Sequence, residues 1–479
     1  MASKNISFDT IPASIRKPGK YFEFNTKLAV RTLPSNAQKV LLIGQKTSAG
    51  TAAALAVTQI FSDSEARTLF GAGSMLYLMA KAAIKANPYL DLNCIALADA
   101  GAGVEAEATI TITGPATASG GLTLYVGDQK VEVAIANEDT ATEVADALVA
   151  AITAATDLPI AADNTAGVIT ATAKNSGTVG NEITLGYVQT NAAGVTCTIV
   201  QMASGLTDPD IETALAAVEA EQYHIIVTPY ANETALVSLR DHLDLVSGPL
   251  EQRPGIGIYG QTGAIVDVEA LAADVNSGRI AAAYLRYTTA TIVRSMACEI
   301  AAAFAAVAAF EEDPARPLNT LELKSIAAPV ISDRLSRTEQ EALLRAGVTP
   351  HEVGPGNRVQ IVRAISTYVL DPQGIEDISL LDITTIRTLD YVRKACRERV
   401  ALRFPREKLS SKTPARVKTE LLDVLYKLEG LEIVEEVAAN ADGLIVERDE
   451  QDPNRLDAKI PCDVVNGLHV FAGRIDLLL

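Results

Sequence analysis

The sequence predicts a mixed α/β fold of the α+β multidomain kind: a split α/β sheet core with an inserted β-rich domain, a mixed C-terminal subdomain and extended terminal strand arms. Three observations carry that reading. Apolar runs alternate with helix-length amphipathic stretches before residue 104 and again after 205, the pattern of a sheet fed by crossover helices. Between those positions the pattern switches to period-two alternation with threonine facing outward, as in half-exposed antiparallel sheets. Both ends of the chain are extended and apolar where a polar, frayed terminus is usual. The expected divisions are an extended arm at 1–30, a sheet core at 31–103 plus 206–335, an acidic β-rich surface domain at 104–205, a C-terminal subdomain with a basic helix at 336–455, and a strand arm at 456–479.

In chain order, Ile6 and Phe8 alternate, Pro12 and Pro18 bar a helix, and Phe22 and Phe24 alternate with Tyr21, Glu23 and Asn25. Proline confines such a segment to extended or edge positions. Val40-Leu41-Leu42-Ile43-Gly44 is an uninterrupted apolar run closed by glycine, as a strand covered on both faces requires. Asp63 and Ser64 can cap a helix that breaks at Leu69-Phe70-Gly71-Ala72-Gly73-Ser74. It resumes with Met75, Leu78, Met79, Ala82 and Ala83 at helical spacing and stops at Asn87-Pro88. A strand at 92–98 completes a strand–helix–strand unit, normally a parallel crossover.

Within the threonine-rich stretch, strands are expected at 109–113, 122–126, 131–135, 183–187 and 195–199. One helix interrupts them, opened by the capping-box sequence Thr140-Ala141-Thr142-Glu143 and striped by Val144, Ala147, Leu148, Ala151 and Ile152. Gly101, Gly103 and Gly205 make its junctions read as tethers. Helices at 210–221, 232–245 and 266–276 then alternate with strands at 224–228, 255–259 and 280–285. Beyond them come a helix at 334–346, with a second capping box at Ser336 and Glu339, and a strand at 359–369. Helices at 383–404 and 414–429 and strands at 432–437, 443–447 and 456–465 lead into the tail. There Leu468 and Val470 alternate with Gly467 and His469, whereas past Gly473 the apolar positions are Ile475, Leu477 and Leu479. The parity changes, so Gly473 marks a bulge or bend. An apolar terminal strand must find a sheet, in its own molecule or in a neighbour's.

Apolar residues make up 48% of the chain and charged residues 21%, a globular balance that argues against disorder. The apolar run at 300–310 is too short to span a bilayer, so no membrane insertion is expected. The first residues lack the basic head and apolar block of a signal peptide, which points to synthesis in a cytoplasm. Cys94, Cys197, Cys298, Cys396 and Cys462 form no Cys-x-x-Cys pair and read as buried free thiols. A net charge of -18 disfavours nucleic acid as a partner. That charge is segregated. Residues 104–205 hold eleven acidic side chains against Lys130 and Lys174, while 387–418 hold eleven basic ones against Asp390, Glu398 and Glu407. Two surfaces facing different partners are expected.

Tests for catalytic chemistry fail. Gly44-Gln45-Lys46-Thr47-Ser48-Ala49-Gly50-Thr51 follows a strand, but alanine holds the second glycine position of a P-loop and no lysine follows it. Gly71 and Gly73 lie in a helix break rather than directly after a strand, which argues against a dinucleotide loop. His351-Glu352 continues as Val-Gly-Pro-Gly and is no zinc motif, and there is no nucleophile elbow. The carboxylates at 449–457 lack the glycine and closing glutamate of a calcium loop. No cofactor is expected. The basic run at 387–418 has few aromatics and lies largely on an amphipathic helix, which suits a docking face for an acidic protein at least as well as a nucleic acid.

The chain resembles the contractile tail sheath proteins of myophages, of the Mu-like type. The resemblance is carried by Ile6-Ser7-Phe8-Asp9-Thr10-Ile11-Pro12-Ala13-Ser14-Ile15-Arg16-Lys17-Pro18-Gly19, by Val40-Leu41-Leu42-Ile43-Gly44, by Leu69-Phe70-Gly71-Ala72-Gly73-Ser74 before a helix, by the C-terminal basic helix and by the final apolar strand. It implies a structural, non-enzymatic subunit of the virion tail, assembled in the host cytoplasm. Such subunits form homo-hexameric rings stacked around a tail tube protein, meet baseplate and tail terminator proteins, and contract to drive the tube through the host envelope. On this reading Ile6, Phe8, Ile11, Phe22, Phe24, Leu468, Val470, Ile475, Leu477 and Leu479 are inter-subunit arm contacts. Arg387, Arg393, Lys394, Arg397 and Arg403 are candidate tube-facing cations. Two alternatives stand: the sheath of a related contractile injection machine, and a Rossmann-like enzyme carrying an inserted β domain.

Overall fold

The structure, a computed structural model, describes residues 17–22, 33–34 and 36–478. Ile6, Phe8, Ile11, Phe24 and Leu479 lie outside the described residues. Contacts divide the chain into two compact units. The larger joins Asn36–Asp390 to the tail from Asn466, and the smaller is Tyr391–Val465 with the described residues before Asn36.

In the larger unit, β1 (Lys39–Gln45) is fully buried from Val40 through Ile43, as its unbroken apolar run requires. β2 (Val57–Ile60) is too short for the sequence pattern to announce. α1 (Asp63–Phe70) and α2 (Met75–Ala86) start at serine caps: the Ser62 hydroxyl accepts from the Glu65 N–H and that of Ser74 from the Tyr77 N–H. The first cap therefore falls one residue before the expected Asp63. After β3 (Asp91–Leu97) come β4 (Glu105–Thr113), β5 (Gly120–Val126), β6 (Gln129–Ile135), α3 (Ala141–Ala154), β7 (Ile160–Thr165), β8 (Val168–Ser176), β9 (Leu185–Thr190) and β10 (Thr196–Ala203). The alternation then resumes as α4 (Glu212–Val218), β11 (Ile225–Val227), α5 (Glu233–Ser247), β12 (Ile256–Gln261), α6 (Ile265–Val275), β13 (Ile280–Tyr284) and α7 (Ala297–Phe310). The unit continues through α8 (Arg337–Arg345), β14 (Val348–Gly354), β15 (Arg358–Ile361) and the start of α9 (Ile383–Arg403).

An eight-stranded sheet of order β15-β14-β13-β12-β11-β1-β3-β2 organises this unit. From β14 to β3 every pairing is parallel, and the two outermost strands, β15 and β2, run antiparallel to their neighbours. Two glycines of β12 show how helices cover both faces. A Cβ on Gly257 would meet Leu239 and Leu243 of α5, while one on Gly260 would lie 1.9 Å from the carbonyl oxygen of Ala297 in α7. Positions 257 and 260 differ in parity and point to opposite faces. Every residue of α7 except Phe310 is buried, and its alanines let α2 and the sheet close around it.

The threonine-rich residues form two antiparallel sheets, β10-β4-β8-β7 and β6-β5-β9, with α3 packed against strands of both. The capping box at Thr140 and Glu143 is present. β4 alternates buried and exposed residues, with Ala106, Ala108, Ile110 and Ile112 inward. These sheets do not hang on glycine tethers. Their apolar residues are continuous with the core under the large sheet, and polar side chains fasten them to it. Asn175 Nδ2 donates to the carbonyl of Lys46, its Oδ1 accepts from the Met75 N–H, and Arg67 pairs with Asp157 at 2.7 Å. The junction glycines serve close approach instead: Cβ atoms on Gly103 and Gly205 would lie 2.2 Å from Ser176 Oγ and 2.3 Å from the Gly177 carbonyl.

The expected boundary at 336 moves. Val348, Thr349 and Pro350 pair in parallel with Ala282, Ala283 and Tyr284, which draws β14, and β15 with it, into the large sheet. The strand expected over 359–369 stops at Ile361. The smaller unit takes the rest of α9, then α10 (Thr413–Glu429), β16 (Val434–Glu435), α11 (Val437–Asn440), β17 (Ile445–Arg448), β18 (Leu456–Lys459) and β19 (Asp463–Val464). β16 pairs with β19 and β17 with β18, both antiparallel. Its core is Val392, Cys396, Val417, Leu421, Val424, Leu425, Leu428 and Leu444 with their neighbours.

Candidate assembly interface

The tail from Asn466 lies in no helix or strand among the described residues, yet over 466–470 its exposure alternates like a strand's, and from Phe471 to Leu478 every residue is exposed. Leu468 and Val470 are 80% and 79% exposed, while Gly467 before them and His469 between them are half-buried against the larger unit. Phe471, Ile475, Leu477 and Leu478 are also exposed. Burying an exposed Leu, Ile, Val or Phe contributes about 1.5–3 kcal/mol, so six such side chains leave on the order of 10 kcal/mol unrealised in the isolated chain. The tail has no ladder of its own, so the bulge expected at Gly473 has nothing to interrupt. Phe22, the described residue among the expected N-terminal contacts, is 88% exposed.

The root of the tail is held. Asn319 Nδ2 lies 3.0 Å from His469 Nδ1, and His469 Nε2 lies 3.5 Å from Asp382 Oδ1. Asp382 is itself fixed by Arg363 through two hydrogen bonds of 2.8 and 2.7 Å. A Cβ on Gly467 would meet Pro317 at 2.6 Å, so glycine lets the backbone lie against that residue.

The candidate basic face is less uniform than its sequence. Arg387 is buried, and its Nη2 donates to the Glu311 carbonyl just past the C-terminus of α7. Desolvation pushes its pKa down to about 10, with the charges of Glu311 and Asp313 opposing. A guanidinium there answers the negative end of the helix dipole, and it cannot reach a partner; Arg387 leaves the tube-facing set. The sequence carries a signal for this, because Arg387 lies four residues from both Ile383 and Tyr391, which are buried. Within the smaller unit, Arg403 pairs with Glu420 at 3.4 Å. Buried Arg399, absent from the candidate set, pairs with Asp423 at 2.6 Å and Glu420 at 3.3 Å. Arg393 and Lys394 are half-buried, Arg397 is exposed, and each already holds an interaction.

The loops tested for chemistry are structural. The Thr47 N–H donates to the Phe70 carbonyl, and a Cβ on Gly71 would lie 2.0 Å from Thr47 Oγ1, so the loop after β1 is packed against the break between α1 and α2. His351 is buried, its Nδ1 3.0 Å from the Tyr284 carbonyl, and desolvation pulls its pKa down to about 4. Among the described residues no group of His, Cys, Asp and Glu is arranged to hold a metal. At 449–457, Asp449 accepts from the N–H groups of Gln451 and Asp452, and Arg455 pairs with Asp457.

Comparison with known proteins gives the context. Residues 204–367 match the phage tail sheath protein central domain and 376–477 the phage tail sheath C-terminal domain, together more than half of the chain. The Mu-like prophage FluMu tail sheath protein of Haemophilus influenzae is 34% identical over 493 aligned residues, covering 99% of this chain and 100% of that protein. Among solved structures, the sheath tail protein of Desulfitobacterium hafniense gives a TM-score of 0.51 at 13% identity over 94% of this chain and 97% of that one. The sheath complex of an extracellular contractile injection system, PVC, in its contracted state gives 0.51 at 11% identity over 97% and 98%. With two sheath domains in order and a Mu-like relative at that identity along nearly its whole length, the chain belongs to the phage tail sheath protein family.

Proposed function

We propose that the protein is the structural subunit of a contractile phage tail sheath, and that its tail is an arm lent to a neighbouring copy. The family is one of structural sheath proteins and not of enzymes, and its place is the virion tail. The observation that carries the arm reading is the tail itself: its apolar side chains are exposed, and it pairs with no strand among the described residues. Strand addition supplies several backbone hydrogen bonds at a net of roughly 1 kcal/mol each, besides the apolar burial. The two-stranded sheets β16–β19 and β17–β18 are natural acceptors, since two strands alone are marginal and each has open edges.

Around this linkage the subunits form hexameric rings stacked on a tail tube protein and closed by baseplate and terminator proteins, assembling in the host cytoplasm. Extended and contracted lattices are two packings of the same linked subunits, and contraction runs to the one of lower free energy. The core proposed from 31–103 and 206–335 extends to β14 and β15, and the acidic residues 104–205, packed against it, face outward. Arg393, Lys394, Arg397 and Arg403 remain the cations offered to the tube. Negative-stain microscopy of the purified protein tests the reading: long ribbed cylinders support it, and uniform small particles count against it. Likeness of fold to the PVC sheath favours a contractile injection machine as the second reading. The full-length Mu-like relative weighs for a phage tail.

A further inference from the structure

Strands that dock on their own domain turn apolar side chains inward and polar ones out. At 467–470 the sense is reversed. His469, a polar residue, has a side chain only 14% exposed, while Leu468 and Val470 on the opposite side are almost fully exposed. Composition alone would favour the other orientation, so specific contacts must hold this one. Two successive inward positions supply them. Gly467 lies against Pro317, where any Cβ would clash, and two residues on, the imidazole sits between Asn319 and Asp382.

We propose that His469 is a positioning residue that anchors the root of the arm through Asn319 and Asp382, fixing Leu468 and Val470 outward for a second copy of this chain. The inference rests on the linking-arm reading above. In the tautomer with hydrogen on Nε2, Nδ1 accepts from Asn319, while Nε2 makes no hydrogen bond and lies 3.5 Å from Asp382 Oδ1, close enough for the carboxylate charge to favour that tautomer. Arg363 holds that carboxylate in a bidentate pair, its Nε donating to the same Oδ1 that lies nearest His469, so the carboxylate's place is set before the tail arrives. All four side chains belong to the same unit, although 319, 363, 382 and 469 lie far apart in sequence. An arm fixed at its root presents one face to its acceptor instead of searching all rotations, which lowers the ordering cost of linkage.

The test reads the anchor and the assembly separately, on full-length protein. Diethyl pyrocarbonate modifies accessible imidazole nitrogens, and mass spectrometry reports each histidine. In Asn319→Ala, His469 should react on the order of tenfold faster than in the parent, the factor carried by one net hydrogen bond. Buried His351 should keep its parental rate and so report an intact fold. His469→Ala should form fewer cylinders, and His469→Gln, whose amide both donates and accepts, should recover them. An unchanged His469 rate in Asn319→Ala, or parental assembly by His469→Ala, overturns the anchor. Normal cylinders from a chain lacking 470–479 would instead overturn the linking-arm reading, leaving the His469 rate to decide the anchor by itself.

Discussion

Arg387 sits where the end of α7 leaves a backbone carbonyl unpaired, and it answers both that acceptor and the helix dipole. Replacing it with alanine should cost about 2 kcal/mol in chemical denaturation, the scale of a charge-assisted hydrogen bond. The salt dependence of sheath-on-tube assembly should not change; a change in that dependence with stability intact would return Arg387 to the tube-facing set. His351 makes the acid side testable. Its folded pKa of about 4 lies below the ordinary histidine value, so its neutral form stabilises the fold above roughly pH 6.5, and that contribution is lost as pH falls toward 4. The loss is about 3 kcal/mol across this window. His351→Gln, which does not titrate, should show a shallower fall in stability over the same range. A reader of the sequence meets Arg387 inside a basic run and counts its charge; only its helical phase with Ile383 and Tyr391 separates it from Arg393.

Among the elements, the packing of α7 on the large sheet depends on β12 having no side chain at Gly260. Gly260→Ala should destabilise by about 3 kcal/mol or prevent folding, because the obstructing atom is a backbone carbonyl that cannot rotate away. Gly263→Ala, with nothing within 4 Å of its added carbon, should cost less than about 1 kcal/mol. Equal losses at the two positions, measured by thermal unfolding, would contradict this account of the packing. Elements with strong local signals were legible from sequence: the unbroken run of β1 and the capping boxes of α3 and α8. β7 and β8 were not, because their inward positions include alanine, whose alternation with threonine is a weak hydrophobic signal. β14 was hidden by Pro350 and by His351, which is buried only because tertiary contacts receive it. The tail's periodicity was legible, but which face it turns outward was decided by Asn319 and Asp382, far away in sequence.

At the scale of the molecule, the chain keeps its strongest unmet demand for burial in the tail, and the linking arm gives that surface a partner. The acidic insert is integral to the larger unit, since Met75, Leu78, Val179 and Met296 line one shared crevice between its sheets and the helices. Removing 104–205 should therefore expose apolar surface and yield aggregated protein; a soluble, monodisperse product would show the insert to be separable. Reversing the charges of Arg393, Lys394 and Arg397 to glutamate should weaken assembly on the tube and reduce its sensitivity to salt, as complementary surfaces require. Whether the last residues join one subunit to the next is read by electron microscopy of the full-length chain beside the chain lacking 470–479. Ribbed cylinders from the first and only dispersed particles from the second are the predicted result. Normal cylinders from the shortened chain would contradict it.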